Sequence, residues 1–242
     1  MTGGFRPRRA MVLAAGLGLR MREAVPDRPK PLVLVQGRTL LDRALDRMEA
    51  AGIELAVVNV HFMAPMIEQA LARRIRPGIA ISREETLLET GGGVAQALPT
   101  LGAEPFFVAN ADALWLDGAT PSLQRLAVAW NDATMDALLL LVQRERASGY
   151  EGPGDFFCAA DGRISRRGDS AAAPFVYGGV QLVHPRLFAA APRGAFSFNI
   201  LWDRALAAGR LAGLVHDGAW FHVGNAEGLA AAERALANPA RA

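Results

Sequence analysis

The segment RAMVLAAGLGLRM occupies residues 9–21, and DRPKPL follows it at residues 27–32. Residues 10–13 are apolar and have the length of a buried strand, and the glycines and alanines after them form a loop. Small residues let backbone N–H groups approach phosphate oxygens closely, and the cations of Arg20 and Lys30 neutralise phosphate charge. The two segments therefore predict a phosphate-binding loop at the end of a strand.

Two familiar phosphate-binding motifs do not fit these residues. A Rossmann dinucleotide fingerprint needs a glycine where Met21 stands, and a Walker loop needs Gly-Lys followed by Ser or Thr. The loop is consequently of another type. Its candidate phosphate-binding residues are Ala14, Ala15, Gly16, Leu17 and Gly18, together with the cations of Arg20 and Lys30.

The composition indicates one globular domain spanning residues 1–242. The chain is 51% apolar and has the length of a single α/β domain. Its net charge is only +2, with basic residues spread along the chain, so the pI of 9.2 indicates local phosphate sites rather than a nucleic-acid surface. The single cysteine, Cys158, excludes an internal disulfide and a multi-cysteine zinc site. A reducing cytoplasmic location is expected, and residues 238–242 are expected to fray.

No membrane segment is expected. Basic residues 6–9 before an apolar run imitate the start of a signal peptide. We reject that interpretation, because the run ends in Arg20 and Arg22 without a convincing cleavage site. No other segment approaches the roughly 18 uninterrupted apolar residues that a transmembrane helix needs.

The residues after the loop alternate between helix and strand patterns. Thr39 opens an amphipathic helix that Gly52 ends, residues 55–60 form an apolar run, residues 65–73 have helical spacing, and residues 79–82 form another short run. Strands connected by helices favour a doubly wound, mainly parallel sheet. In such a sheet ligands bind outside the carboxyl ends of the strands.

A second glycine-rich segment, LETGGG, covers residues 88–93 before a predicted helix at residues 94–98. Glycines before a helix offer exposed N–H groups, and Thr90 offers a hydroxyl at the same sheet edge as the first loop. The segment is thus a candidate for nucleotide contacts. A flexible connection without a ligand is the alternative.

An acidic side chain follows the next apolar run. In the segment PFFVANAD, residues 105–112, the strand pattern ends close to Asp112. Magnesium in proteins is typically held by one or two carboxylates together with phosphate oxygens and water, so Asp112 is a candidate magnesium ligand. A turn-capping aspartate is the alternative.

The pattern changes after residue 148. An Asp161-Gly162 turn between residues 156–160 and 163–165 predicts a hairpin, which indicates a small antiparallel insertion. Residues 211–215 and 219–223 flank His216-Asp217-Gly218 and predict a second hairpin. A last helix is predicted at residues 226–237.

These motifs, AAGLGLRM, PKPL, ETGGG and Asn110-Ala111-Asp112, resemble the sugar-1-phosphate nucleotidyltransferases, and their order is similar over nearly the whole chain. The resemblance implies a three-layer Rossmann-like fold of the GT-A type. It also implies a nucleotide-binding half at residues 9–148 and a sugar-binding half at residues 149–237. The substrates would be a nucleoside triphosphate and a sugar 1-phosphate.

The resemblance also assigns roles to individual residues. The ETGGG-like segment wraps the nucleobase and ribose, and the aspartate of N-x-D holds the metal, here Mg²⁺ on Asp112. By this resemblance Arg20 and Lys30 are catalytic. The nucleotide contacts are the first-loop residues 14–18 together with Leu88, Glu89, Thr90 and Gly91, and the sugar contacts are Gly152, Asp155, Gly178 and Gly179.

The ETGGG motif at residues 89–93 and the GDF motif at residues 154–156 are most similar to those of the N-acetylmuramic acid 1-phosphate uridylyltransferases of peptidoglycan recycling. Mannose 1-phosphate with a guanylyl donor, and glucose 1-phosphate, are the alternative acceptors.

The family commonly has DVGT at the terminal strand, where the acidic residue is a second metal ligand, and this chain has His222 there. Imidazole is a poor magnesium ligand, so His222 is either a metal-site residue or a structural one. Because the acidic residue of this motif is replaced, a nucleotide-sensing module is the non-enzyme alternative. The sequence does not indicate an oligomeric state.

Overall fold

The computed structural model describes residues 5–237, so the fraying expected for residues 238–242 lies outside the described part. Fourteen strands are numbered in chain order. They are β1 Arg9–Leu13, β2 Leu34–Val35, β3 Arg38–Thr39, β4 Leu55–Val60, β5 Gly78–Arg83, β6 Phe106–Asn110, β7 Ala113–Leu116, β8 Ala137–Gln143, β9 Ala147–Ser148, β10 Phe156–Cys158, β11 Ile164–Arg166, β12 Phe175–Val183, β13 Leu211–Val215 and β14 Ala219–His222.

Seven α-helices accompany these strands within residues 5–237. They are α1 Leu19–Arg22, α2 Leu40–Ala50, α3 Ala64–Leu71, α4 Glu89–Leu101, α5 Ser122–Ala129, α6 Phe198–Ala207 and α7 Ala226–Ala237. Within residues 5–237 none of the helices has the length and apolar character needed to cross a membrane.

The predicted mainly parallel sheet is confirmed. Strand β1 lies between β4 and β6 and is parallel to both, and β5 is parallel to β4 at the edge. Strand β12 then joins β6 in antiparallel orientation, and β8 and the β10–β11 hairpin extend the sheet beyond it. The small antiparallel insertion is therefore present, and strands from both sides of the predicted division near residue 148 share one sheet.

Helices cover both faces of the sheet, which makes three layers. Met11 packs with Val94 and Leu101 of α4 on one face, whereas Val12 packs with Leu41 and Leu45 of α2 on the other. Successive strand residues point to opposite faces, so an uninterrupted apolar run fits a strand that is covered on both sides.

Helix α2 begins where the sequence predicts it. The side chain of Thr39 accepts a hydrogen bond from the backbone N–H of Asp42 at 2.9 Å and caps the helix. The apolar face of α2 is buried in the core, so capping and periodicity indicate the same helix.

The predicted hairpin around His216 is wrong. Strand β13 pairs in parallel with β8 in the main sheet, whereas β14 pairs with β7 and β9 in a separate three-stranded sheet. The buried imidazole of His216 lies 3.0 Å from Ser122 Oγ and 3.2 Å from Ala219 O, which holds the connection in a different path. The pairing of β14 with β7 places His222 opposite Ala113, next to Asp112.

The predicted start of the fourth helix is also wrong, because α4 begins at Glu89 and includes the three glycines. A Cβ atom on Gly91 would lie 2.4 Å from the ring of Phe196. The glycines thus permit close packing of a helix, and they do not form a loop before it.

Candidate active site

A cleft of about 580 Å³ opens at the carboxyl ends of β1 and β6. We call it the larger cleft. It brings together most of the predicted nucleotide and catalytic residues, whereas Leu88 and Gly91 do not border it. Its lining includes Ala14, Ala15, Gly16, Leu17, Gly18, Arg20, Lys30, Asn59, Leu87, Glu89, Thr90, Asn110 and Asp112.

A second cleft of about 370 Å³, the smaller cleft, adjoins the first. Of the predicted sugar contacts, Asp155 and Gly179 border it, and Gly152 and Gly178 do not. It is also lined by His222, Tyr150, Phe156, Arg166, Tyr177, Gln181, Ser197, Asn199, Trp202 and Trp220. Leu13, Thr90, Asn110 and Asp112 border both clefts, so Asp112 stands where the two meet.

Lys30 and Asp112 form an ion pair at this junction. Lys30 Nζ donates a hydrogen bond to Asp112 Oδ2 at 2.6 Å, and the two side chains are 14% and 37% exposed. Both groups are therefore held in place but open to the clefts. The pair joins the predicted catalytic cation and the predicted metal ligand, which lie 82 residues apart in sequence.

Gly18 fixes the approach of Lys30. Its φ of +59° is left-handed, and a Cβ atom built there would lie 2.9 Å from Lys30 Cβ. Glycine meets both demands because it has no side chain and adopts positive φ at little cost. The same residue precedes α1, which carries Arg20 along the wall of the larger cleft.

A buried polar network joins the two loops that border the larger cleft. The backbone N–H of Ala14 donates to Asn59 Oδ1 at 2.7 Å, and Asn59 Nδ2 donates to Glu84 Oε1 at 2.7 Å. Glu84 Oε2 accepts the backbone N–H of Leu88 at 2.9 Å. Asn59 and Glu84 are only 2% and 3% exposed, so these hydrogen bonds are shielded from water.

Neither Asn59 nor Glu84 is among the site residues predicted from the sequence. The available signal was a single amide inside the apolar run LAVVNV at residues 55–60 and a glutamate directly after strand β5. A polar residue within a buried strand needs a partner, which marks it for a structural or functional role.

We predict that Glu84→Ala destabilises the fold by roughly 2–4 kcal/mol, because Asn59 Nδ2 and the Leu88 N–H each lose a buried acceptor. Chemical unfolding of the variant measures this change. The neighbouring Glu85→Ala is the matched control, since Glu85 is exposed and its removal should change stability by no more than about 0.5 kcal/mol. Equal stability of the two variants would show that the Glu84 contacts contribute nothing.

Two backbone N–H groups in the first turn of α4 are already hydrogen-bonded within the protein. Gly91 and Gly92 donate their backbone N–H groups to Phe196 O at 2.8 and 3.1 Å, and Thr90 Oγ1 accepts the Phe198 N–H at 3.0 Å. These bonds attach α4 to the start of α6. They leave the exposed side chains of Glu89 and Thr90 facing the larger cleft.

His222 lies among aromatic rings at the wall of the smaller cleft. Its ring centroid is 6.1 Å from that of Trp220 and 6.3 Å from that of Tyr150. Burial lowers the pKa of His222 from its ordinary value, the cations of Lys30 and Arg20 lower it further, and Asp112 opposes the shift. The imidazole is therefore neutral at pH 7.

The residues present fit a metal ion that arrives with a substrate. Within residues 5–237, no group of three or more His, Cys, Asp or Glu side chains is arranged to hold a metal ion. Magnesium does not need such a cage, because it is commonly held by one or two carboxylates plus substrate phosphates. The side chain of Asp112 is partly exposed at the junction of the clefts, so it fits this mode of binding.

Residues 10–199 match the MobA-like NTP transferase domain, and the chain belongs to this family of nucleotidyltransferases. It is 44% identical to the N-acetylmuramate alpha-1-phosphate uridylyltransferase of Caulobacter vibrioides, over 96% of this chain and 98% of that protein. It is 32% identical to the Neisseria meningitidis protein of the same name, over 89% of this chain and 93% of that one. The resemblance to sugar-phosphate nucleotidyltransferases is thereby confirmed.

The fold agrees with that family. The structure of the inositol-1-phosphate CTP transferase from T. maritima superposes with a TM-score of 0.77 over 93% of this chain and 92% of that one, at 18% identity. The predicted α/β fold of nucleotidyltransferase type is therefore confirmed.

Proposed function

We propose that the protein transfers a uridylyl group from UTP to N-acetylmuramic acid 1-phosphate and releases pyrophosphate. The observation that carries the proposal is the Lys30–Asp112 ion pair at the junction of two clefts, in a chain 44% identical to an enzyme of that name. The larger cleft is assigned to UTP and the smaller cleft to the sugar 1-phosphate. In the same way, residues 9–148 and 149–237 are assigned as nucleotide and sugar halves of one domain.

The proposed reaction is a displacement at the α-phosphorus of UTP. A phosphate oxygen of the acceptor forms the new P–O bond, and the bond between the α-phosphorus and the bridging oxygen breaks as pyrophosphate leaves. Such transfers depend mainly on positioning and on stabilisation of the charge that develops at phosphorus. Lys30 at the junction supplies a cation beside the α-phosphate, and Arg20 supplies one along the wall of the larger cleft.

Asp112 is the proposed protein ligand for magnesium. Bound there, Mg²⁺ would neutralise triphosphate charge that the protein cations do not reach. His222 is proposed to meet the metal site through water, because its ring nitrogen is a poorer magnesium ligand than oxygen. The protein is further proposed to act in the cytoplasm, where its phosphorylated substrates are available.

Turnover with a panel of substrates tests this function. Pyrophosphate release is measured with UTP, GTP, CTP or ATP against the 1-phosphates of N-acetylmuramic acid, N-acetylglucosamine, mannose and glucose, and the sugar nucleotide is identified by mass spectrometry. We expect the highest kcat/KM for UTP with N-acetylmuramic acid 1-phosphate. Preference for mannose 1-phosphate with GTP, or for glucose 1-phosphate, would replace the proposed substrates. Nucleotide binding without any turnover would identify a sensor.

His222 provides a separate prediction about the metal requirement. Because His222 lies opposite Ala113, next to Asp112, His222→Asp would bring a second carboxylate to the proposed metal site and should lower the magnesium concentration that gives half-maximal rate. His222→Ala should change that concentration only modestly, since water replaces the ring. Titration of the rate against magnesium at neutral pH measures both variants. An unchanged or higher requirement in His222→Asp would make His222 a structural residue.

A further inference from the structure

One arginine of the insertion is directed to the smaller cleft. Arg166, at the end of β11, is the only arginine or lysine among the residues of positions 5–237 that line this cleft. It does not border the larger cleft, whereas Lys30 borders the larger cleft alone. The two cations therefore serve different parts of the site.

The guanidinium of Arg166 is held in a fixed position. It lies over the rings of Phe156 and Trp202, at 4.9 and 5.5 Å from their centroids. Its Nε donates to Asp203 Oδ1 at 2.8 Å, and its Nη2 donates to Asn199 O at 3.3 Å. Stacking and hydrogen bonding together restrict the side chain before any ligand arrives, which reduces the entropy lost on binding.

Part of this guanidinium is available to a ligand. Within residues 5–237, no hydrogen bond engages Nη1 of Arg166, and the side chain keeps 29% of its surface exposed. An arginine presents N–H donors in a planar fork that matches a carboxylate. Its remaining donors therefore suit a planar anion inside the smaller cleft.

The other charges of the smaller cleft oppose an acidic ligand. Asp112 and Asp155 both line it, and Asp155 Oδ2 accepts the Tyr177 N–H at 2.9 Å, which fixes that carboxylate in place. A sugar that carries a carboxylate in addition to its phosphate would meet repulsion from Asp155, which has no ion pair among the described residues, whereas Lys30 neutralises Asp112. Arg166 is the cation in a position to offset it.

We propose that Arg166 binds the carboxylate of the acceptor sugar and so selects an acidic sugar 1-phosphate over its neutral analogue. The inference rests on the proposed function, which assigns the smaller cleft to the acceptor. Asp203 acts as a positioning residue, because it holds the guanidinium but is itself 61% exposed.

The test compares two acceptors that differ by the acidic substituent. The kcat/KM with UTP is measured for N-acetylmuramic acid 1-phosphate and for N-acetylglucosamine 1-phosphate, which lacks the lactyl carboxylate. Arg166→Met should reduce kcat/KM for the acidic acceptor by about 10- to 100-fold, the scale expected for one charge-assisted hydrogen bond. The value for the neutral acceptor should change by less than about threefold, and Arg166→Lys should show an intermediate loss for the acidic acceptor only.

Arg163→Met is the matched control. Arg163 belongs to the same hairpin, is 86% exposed and pairs with Asp161 outside the cleft, so its loss should leave both acceptors unaffected. Thermal unfolding checks that each variant folds. If Arg166→Met fails to fold, Arg166→Lys provides the comparison, because it keeps the charge and loses the planar fork.

Binding separates this inference from the proposed function. Calorimetry with each sugar 1-phosphate, without turnover, should show that the wild-type protein prefers the acidic compound and that Arg166→Met does not. If the wild-type protein shows this binding preference but no uridylyl transfer, the proposed function is wrong and the inference about Arg166 stands. Equal losses of kcat/KM for both acceptors in Arg166→Met would show that Arg166 contacts a group that they share, such as the phosphate. No loss for either acceptor would show that Arg166 has no role in acceptor binding. Each of these results overturns the inference.

Discussion

Lys30→Ala is expected to reduce kcat by roughly a hundredfold or more, the scale of losing one preorganised donor to a developing negative charge. Lys30 Nζ stands at the junction of the two clefts, where its ion pair with Asp112 places it beside the proposed reacting phosphate. Its charge should stabilise the transition state more strongly than it stabilises bound UTP. The loss should therefore be in kcat rather than in KM for UTP.

The fold should survive this substitution. The only partner of Lys30 Nζ within the described residues is Asp112, which is 37% exposed and is therefore hydrated when the lysine is removed. Lys30→Arg is the conservative control, because it keeps the charge but spreads it over a planar guanidinium in place of the compact ammonium group. Near-wild-type turnover by a folded Lys30→Ala variant at saturating substrates would remove Lys30 from the mechanism.

A labelling experiment checks the same assignment without turnover. Lys30 is the only lysine of the chain, so an amine-selective reagent modifies one side chain together with the amino terminus. Mass spectrometry then follows that single site directly. UTP with magnesium should slow modification of Lys30, and an unchanged modification rate under saturating UTP would place the nucleotide elsewhere.

The parallel half of the fold was predictable because its signals are local. Apolar runs at residues 55–60 and 79–82, the Thr39 cap and the helical spacing after it each belong to one segment and agree with one another. Agreement between capping, periodicity and strand pattern leaves few other topologies. The larger cleft follows from that topology, because parallel strands present their carboxyl ends at one sheet edge.

The arrangement around His222 was not predictable, because it depends on pairing between distant strands. Two short runs on either side of Asp217-Gly218 have the local pattern of a hairpin, yet β13 pairs with β8 and β14 pairs with β7. Strand β7, four residues directly after Asp112, was not predicted. Its register with β14 is what places His222 next to Asp112.

The glycines of the second segment show how one residue type supports two interpretations. Glycines can expose N–H groups to a ligand, or they can allow close packing, and the letters ETGGG do not distinguish these uses. Here the ring and the carbonyl of Phe196 lie against Gly91, so packing explains the buried glycine. Glu89 and Thr90, which keep exposed side chains at the cleft, remain the better candidates for nucleotide contacts.

Asp112→Asn is expected to reduce activity by roughly a hundredfold or more, with partial recovery at high magnesium. The amide has nearly the same size and its oxygen can still accept the hydrogen bond from Lys30 Nζ, so the local geometry should be kept. What disappears is the negative charge that would attract the metal. Nucleotide binding should persist in weakened form, because Arg20, Lys30 and the first loop still line the larger cleft.

The metal dependence distinguishes a metal ligand from a turn-capping residue. Asp155→Asn is the matched control, since Asp155 is a carboxylate of the smaller cleft that does not border the larger one, and its loss should affect the acceptor KM but not the magnesium requirement. The double variant Lys30→Ala with Asp112→Asn adds a second criterion. If the ion pair acts as one unit at the reacting phosphate, the double variant should lose little more than the worse single variant. A persistent rate with an unchanged magnesium requirement in Asp112→Asn would instead show that Asp112 only caps its turn, and the metal would then lack the protein ligand on which the proposed mechanism depends.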